Sequence, residues 1–130
     1  MFIDSVQWNH PSTTLVAGPS NSGKTTIISK ILQHKNDLFT HSNLKTILFY
    51  KQNQDIYIKW FNDGLLDYSS KGLPAFNDFV TILKFYSTED GLTVVFDDLG
   101  SEVLSNLEFN HHLKLSIFLV VHNLFEKGLL

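Results

Sequence analysis

The sequence predicts an α/β domain with a mainly parallel sheet flanked by helices, and three observations carry that expectation. Short apolar, β-rich runs alternate with stretches of helical spacing. That alternation implies parallel strands joined by crossover helices. One passage, Gly18-Pro-Ser-Asn-Ser-Gly23-Lys24-Thr25, has the form G-x-x-x-x-G-K-[ST] and lies between an apolar run and a helical one. The chain has 130 residues, 43% of them hydrophobic and 18% charged, enough for one domain with a real core.

Residues 1–13 read as a mixed lead-in ending in His10-Pro-Ser-Thr13. A first strand is expected near 14–18 and a helix near 24–35, fading in the polar stretch His34-Lys-Asn-Asp37. Thr46-Ile-Leu-Phe-Tyr50 is a buried strand by its continuous apolar run. Residues 55–63 read as a short helix ended by Gly64, and 67–70 as a short edge strand. Gly72-Leu-Pro74 is a turn, Asn77 to Phe85 has helical spacing, and Ser87 to Gly91 is a loop. Leu92 to Phe96 is a β-rich run ending at Asp97-Asp98; Ser101 would cap a helix to about Leu107; Ser116 to Val121 is a last strand. The chain stops soon after it, at Gly128-Leu-Leu130. From this we expect a single domain over 1–130, truncated or minimal at its C-terminus, with an apolar flank left for a partner to cover.

Composition narrows the function classes. No apolar run reaches the roughly 18–20 residues that cross a bilayer, so no membrane role is expected. The start, Met1-Phe-Ile-Asp4, lacks the basic segment of a signal peptide. Cysteine is absent, which excludes disulfides and thiolate metal sites within this sequence. The net charge of −3 gives no global attraction to nucleic acid. All ten basic residues are lysines, so neither this sequence nor an identical copy can supply an arginine to stabilise transition-state charge.

The chemistry concentrates at three places. In the first, a phosphate-binding P-loop, the glycines at 18 and 23 let the loop Pro19-Ser20-Asn21-Ser22 curl round phosphate oxygens, with backbone N–H groups from every residue but Pro19 available to donate. The helix N-terminus at Lys24-Thr25-Thr26 adds its positive end. Lys24 would reach the β- and γ-phosphates of ATP, and the Thr25 hydroxyl would bind Mg2+. The second place is Thr93-Val-Val-Phe-Asp97-Asp98, which has the form of a Walker B segment. Asp97 would hold Mg2+ through water and Asp98 would polarise the attacking water. The plain alternative is a pair of acids capping a loop. The third is His122-Asn123, at the end of the last strand, where imidazole and amide donors would sense the γ-phosphate or simply begin a turn.

Other clusters have blander readings. Asn110-His111-His112 could suggest a metal, but adjacent histidines point apart on a strand and no third ligand is evident, so a loop or subunit contact is the stronger reading. Trp60, Phe61 and the other aromatics are expected in the core rather than as base-stacking platforms. Lys45, Lys51, Lys59 and Lys71 are expected in solvent.

Taken together, these segments resemble the viral genome-packaging ATPases of the FtsK/HerA class, of the kind found in poxvirus-like viruses, adintoviruses and Polinton-type elements. The resemblance rests on Gly18 to Thr26, on Ile47-Leu-Phe-Tyr50 with Gln54 soon after, and on Gly72-Leu-Pro74 and Val94 to Leu99. It rests also on the run from His111-His112 through Ser116-Ile-Phe-Leu to His122-Asn123-Leu-Phe-Glu-Lys-Gly128. His122 stands where that family usually has glutamine, and Leu113 where it often has a basic residue. The resemblance implies a RecA-like P-loop NTPase core and a homo-oligomeric ring, hexameric or pentameric. It also implies ATP and Mg2+ between subunits, and hydrolysis that drives double-stranded DNA into a capsid. Double-stranded DNA and capsid components would be the partners, inside the infected host cell or the virion. Two alternatives stay open: a truncated nucleotide-binding assembly module without turnover, and a small P-loop phosphotransferase. The latter usually clamps phosphates with several arginines, which this sequence lacks.

Overall fold

In a computed structural model of the chain, the structure describes residues 12–18, 23–38, 44–99 and 114–121. Five strands alternate with three helices over these residues: β1 (Ser12–Ala17), α1 (Lys24–Leu38), β2 (Thr46–Tyr50), α2 (Asp55–Asn62), β3 (Tyr68–Lys71), α3 (Phe76–Tyr86), β4 (Leu92–Asp97) and β5 (Leu115–Val121). The sheet has the order β1-β5-β4-β2-β3, and every described pairing is parallel. The fold is therefore α/β with a wholly parallel described sheet. The helix expected over 101–107 lies outside the described residues.

The central strands read as unbroken apolar runs because both faces are covered, as parallel sheets require. β2, β4 and β5 are buried almost throughout. Edge strand β1 alternates half-buried and exposed positions. On one face, Ile28, Ile31 and Leu32 of α1 and Tyr57 and Trp60 of α2 pack with Leu48, Val95, Phe118 and Val120. On the other, Phe79 and Leu83 of α3 pack with Phe49, Phe96, Ile117 and Leu119. The period of two along each strand sorts its residues between these cores, so Val95 and Asp97 share the face of α1 and α2.

Two expectations are corrected. The first concerns α1, which does not fade within His34-Lys-Asn-Asp37 but runs through it to Leu38. Lys35 ties its last turns to the sheet by donating to the Leu44 carbonyl and to the Thr46 hydroxyl. The second concerns the aromatics: Trp60 is buried, but Phe61, Phe76 and Phe85 are 52%, 55% and 78% exposed. The four lysines at 45, 51, 59 and 71 are exposed, as expected.

The Lys35 anchor carries a pH dependence. Burial first, and Lys45 to a smaller degree, lower its amine from 10.5 to about 8, against the opposing pull of Asp67. A lysine with a depressed folded pKa favours the folded state most above its unfolded pKa. That contribution is lost as pH falls through the folded value. Between pH 8 and 10 the unfolded chain holds more of this proton, so folding stability from Lys35 rises with pH. Tyr57 works the other way: its raised pKa preserves stability below about pH 10, the ordinary tyrosine value, and costs stability above it. Urea unfolding from pH 7 to 10 is therefore expected to show stability rising in the parent relative to Lys35→Met. Parallel curves for the two proteins would contradict the burial of this amine.

Candidate functional site

Ligands of open parallel sheets bind beyond the carboxyl ends of the strands. Several of the residues singled out in the sequence stand there. β1 ends at Ala17, and the Gly18 N–H donates to the Val121 carbonyl at 3.2 Å, so the chain entering the glycine-rich loop is pinned to the end of β5. Where the description resumes, Gly23 has φ +89°, a left-handed conformation that side chains resist. Among the described residues no atom lies within 4 Å of where a Cβ would stand on Gly23, whose positive φ is itself enough to favour glycine.

The helix begins at Lys24, and its first closing bond runs from the Ile27 N–H to the Gly23 carbonyl at 3.0 Å. By helix geometry the N–H groups of Lys24, Thr25 and Thr26 precede any intrahelical partner. No acidic residue occupies this first turn, whereas α2 and α3 carry Asp55 and Asp78 in theirs. The positive end of α1 is thus not offset by its own side chains. Lys24 Nζ donates to the Val121 carbonyl at 3.1 Å, which lays the ammonium across the end of β5.

The sheet order gives that contact its meaning. β5 lies between β1 and β4, with Ala17 in register with Val121 and Asp97 with Val120. The end of β5 therefore sits between the strand that leads into the loop and the strand that delivers the acids. Asp97 closes β4 on the α1 and α2 face. Its Oδ2 accepts hydrogen bonds from the Tyr57 hydroxyl and, at 3.3 Å, from Gln54 Nε2. Burial, and next the bond to Asp97, push the Tyr57 phenol well above the usual tyrosine range, so Tyr57 is a hydrogen-bond donor at neutral pH. Asp98 takes a left-handed φ of 64°, and its N–H donates to the Val120 carbonyl at 2.7 Å. Asp tolerates this region better than most residues, and here it turns the chain sharply after β4.

The oxygen donors Thr25 and Asp97 suit Mg2+, which takes one or two carboxylates and draws its other ligands from phosphate and water. Among the described residues no cluster of three or more His, Cys, Asp or Glu could hold a metal ion. Pro19, Ser20, Asn21, Ser22, His122 and Asn123 lie outside the described residues, as do Asn110, His111 and His112. Val121, the last described residue before His122, is the one that Lys24 and Gly18 contact.

Motif reading did not supply Tyr57. It comes from α2, 40 residues before its partner. The available signal was physical: a buried tyrosine hydroxyl needs a partner, and Tyr57 lies on the packed side of an amphipathic helix. In comparisons with known proteins, no family model, no curated protein and no solved structure matches this chain.

Proposed function

We propose that the chain is a P-loop ATPase domain of RecA-like, FtsK/HerA type, and that it takes part in moving double-stranded DNA into a viral capsid. The observation that supports the nucleotide site best is the Lys24 contact with Val121, next to Asp97 across the β5–β4 register. It sets a cation, a helix N-terminus and a carboxylate about one strand end. The DNA-packaging part rests on the resemblance in the sequence.

In this reading Gly18 to Gly23 and the first turn of α1 bind the triphosphate, with Lys24 on its β- and γ-phosphates. Thr25 and Asp97 hold Mg2+, which supplies charge neutralisation on the phosphate oxygens. Asp98 orients and polarises the attacking water. His122 and Asn123 are the candidates for sensing the γ-phosphate. The 130 residues contain no arginine, so none of them acts as an arginine finger.

The test is steady-state ATP hydrolysis with Mg2+, with and without linear duplex DNA. Hydrolysis stimulated by DNA is expected in the parent. Asp98→Asn is expected to lower kcat by about 100-fold or more while ATP binding stays near the parent's, the pattern of a lost general base. An undiminished kcat would remove Asp98 from this role. ATP binding without turnover, even with DNA, would favour the non-catalytic assembly module. Phosphoryl transfer to an added nucleoside or nucleotide would favour a phosphotransferase.

A further inference from the structure

We propose that Tyr57 is a positioning residue that fixes the direction of the Asp97 carboxylate for Mg2+, with Gln54 as its helper; the inference rests on the nucleotide-site reading above. Three hydrogen bonds close a triangle. Tyr57 Oη donates to Asp97 Oδ2, Gln54 Nε2 donates to the same oxygen at 3.3 Å, and Gln54 Nε2 also donates to Tyr57 Oη at 3.1 Å. An aspartate at a strand end has several staggered side-chain positions open to it. Two donors on one carboxylate oxygen select one of them.

The donors are themselves held. Gln54 is the residue that precedes α2, and Tyr57 lies in its first turn. The Tyr57 ring packs at 5.0 Å from Tyr50 and 5.4 Å from Trp60. Trp60 Nε1 in turn donates to Ser29 Oγ at 2.8 Å. Ser29 belongs to α1, the helix that begins with Lys24 and Thr25. A continuous chain of contacts therefore runs from the phosphate-binding helix through Trp60 and Tyr57 to the carboxylate at the end of β4. The two residues proposed to hold Mg2+, Thr25 by its hydroxyl and Asp97 through water, sit on elements that α2 ties together.

Packing alone does not account for the hydroxyl. The ring is buried in the core that α1 and α2 share, where phenylalanine would fill the same space. Side chains around metal sites are commonly oriented by such hydrogen bonds, and losing one typically costs about 10–100-fold in metal affinity or activity.

The test is binding of a fluorescent ATP analogue to the full chain, titrated in EDTA and then against increasing Mg2+. Tyr57→Phe is expected to bind the analogue in EDTA as the parent does. It is also expected to need about tenfold more Mg2+ to reach its tighter, Mg2+-dependent binding. Gln54→Ala, which disturbs no packed ring, is expected to shift the Mg2+ requirement in the same direction by less. An unchanged Mg2+ requirement in both variants would overturn the positioning role and leave the nucleotide site standing. An equal loss of binding in EDTA and in Mg2+ would overturn it too, since Tyr57 would then support the fold alone. If the parent bound no analogue under either condition, the nucleotide-site reading would fall first and this inference with it.

Discussion

Replacing Lys24 with alanine is expected to abolish ATP hydrolysis and to weaken ATP binding by about one to two orders of magnitude, with the fold retained. The magnitude follows from the bond lost: a hydrogen bond to a charged group contributes about 1.5–3 kcal/mol, or roughly 10–150-fold in affinity. The position follows from the fold. Lys24 opens α1 and already directs its ammonium to the end of β5, where its present partner is a neutral carbonyl, Val121 O. A phosphate oxygen is a stronger acceptor for an ammonium than a carbonyl is. Exchanging one for the other requires only rotation about the side-chain bonds. Retention of the fold follows because the sheet and both cores are built without this side chain. Isothermal titration with ATP and Mg2+, together with far-UV circular dichroism, checks both halves. Equal affinity in parent and variant would detach Lys24 from phosphate binding and undo the site. Lost affinity with lost circular dichroism would assign Lys24 to folding instead.

The three central strands were the most legible part of the sequence because they are covered on both faces, whereas edge strand β1 begins two residues before the expected 14–18. β2 occupies 46–50, as expected, and β4 and β5 each differ by one residue from the sequence reading. A fully buried parallel strand is a continuous apolar run, and such runs stand out in a polar chain. The end of α1 was not legible, because local composition argues for a stop at His34-Lys-Asn-Asp37 while the contacts that sustain the helix are made by Lys35 to β2. Phe61 was misread for a related reason. α2 carries two apolar stripes, Tyr57 with Trp60 and Ile58 with Phe61, and the helical period does not say which one faces the sheet. Only the partners across the gap decide, and Ser29 and Asp97 supply hydrogen bonds to the first stripe.

The site divides along the same line. Gly23, Lys24 and Asp97 were read from spacing that is local in the chain. The insertion of β5 between β1 and β4, and the clasp of Tyr57 and Gln54 on Asp97, are long-range contacts to which no local pattern points. The same distinction explains why the acid pair kept two readings in the sequence. Asp97 accepts hydrogen bonds from the side chains of Gln54 and Tyr57 at the start of α2, partners that no pattern near the acid pair announces.

Phe49→Ala is expected to destabilise the domain by about 3–5 kcal/mol, the range for deleting a large aromatic side chain from a core. Phe49 is fully buried in the middle of β2, on the face covered by α3. Its ring stacks on Phe96 at 5.7 Å and lies 5.2 Å from Phe79 and 6.4 Å from Tyr68. These neighbours belong to β4, α3 and β3, so the cavity opens where four elements meet, and no single one can move in to fill it. With domain stabilities of about 5–15 kcal/mol, a loss of this size removes a large fraction of the whole. Phe49→Leu keeps most of the volume and is expected to cost clearly less. Urea unfolding followed by circular dichroism gives both values. The site supplies a second readout, since Phe96 immediately precedes Asp97 on β4. A cavity beside Phe96 is expected to loosen the strand end that carries the acids and to weaken Mg2+-dependent nucleotide binding even while the variant remains folded. A midpoint for Phe49→Ala equal to the parent's would contradict the packing of α3 on this sheet. Full destabilisation with unaltered Mg2+ dependence would show instead that the α1 and α2 face alone holds Asp97 in place.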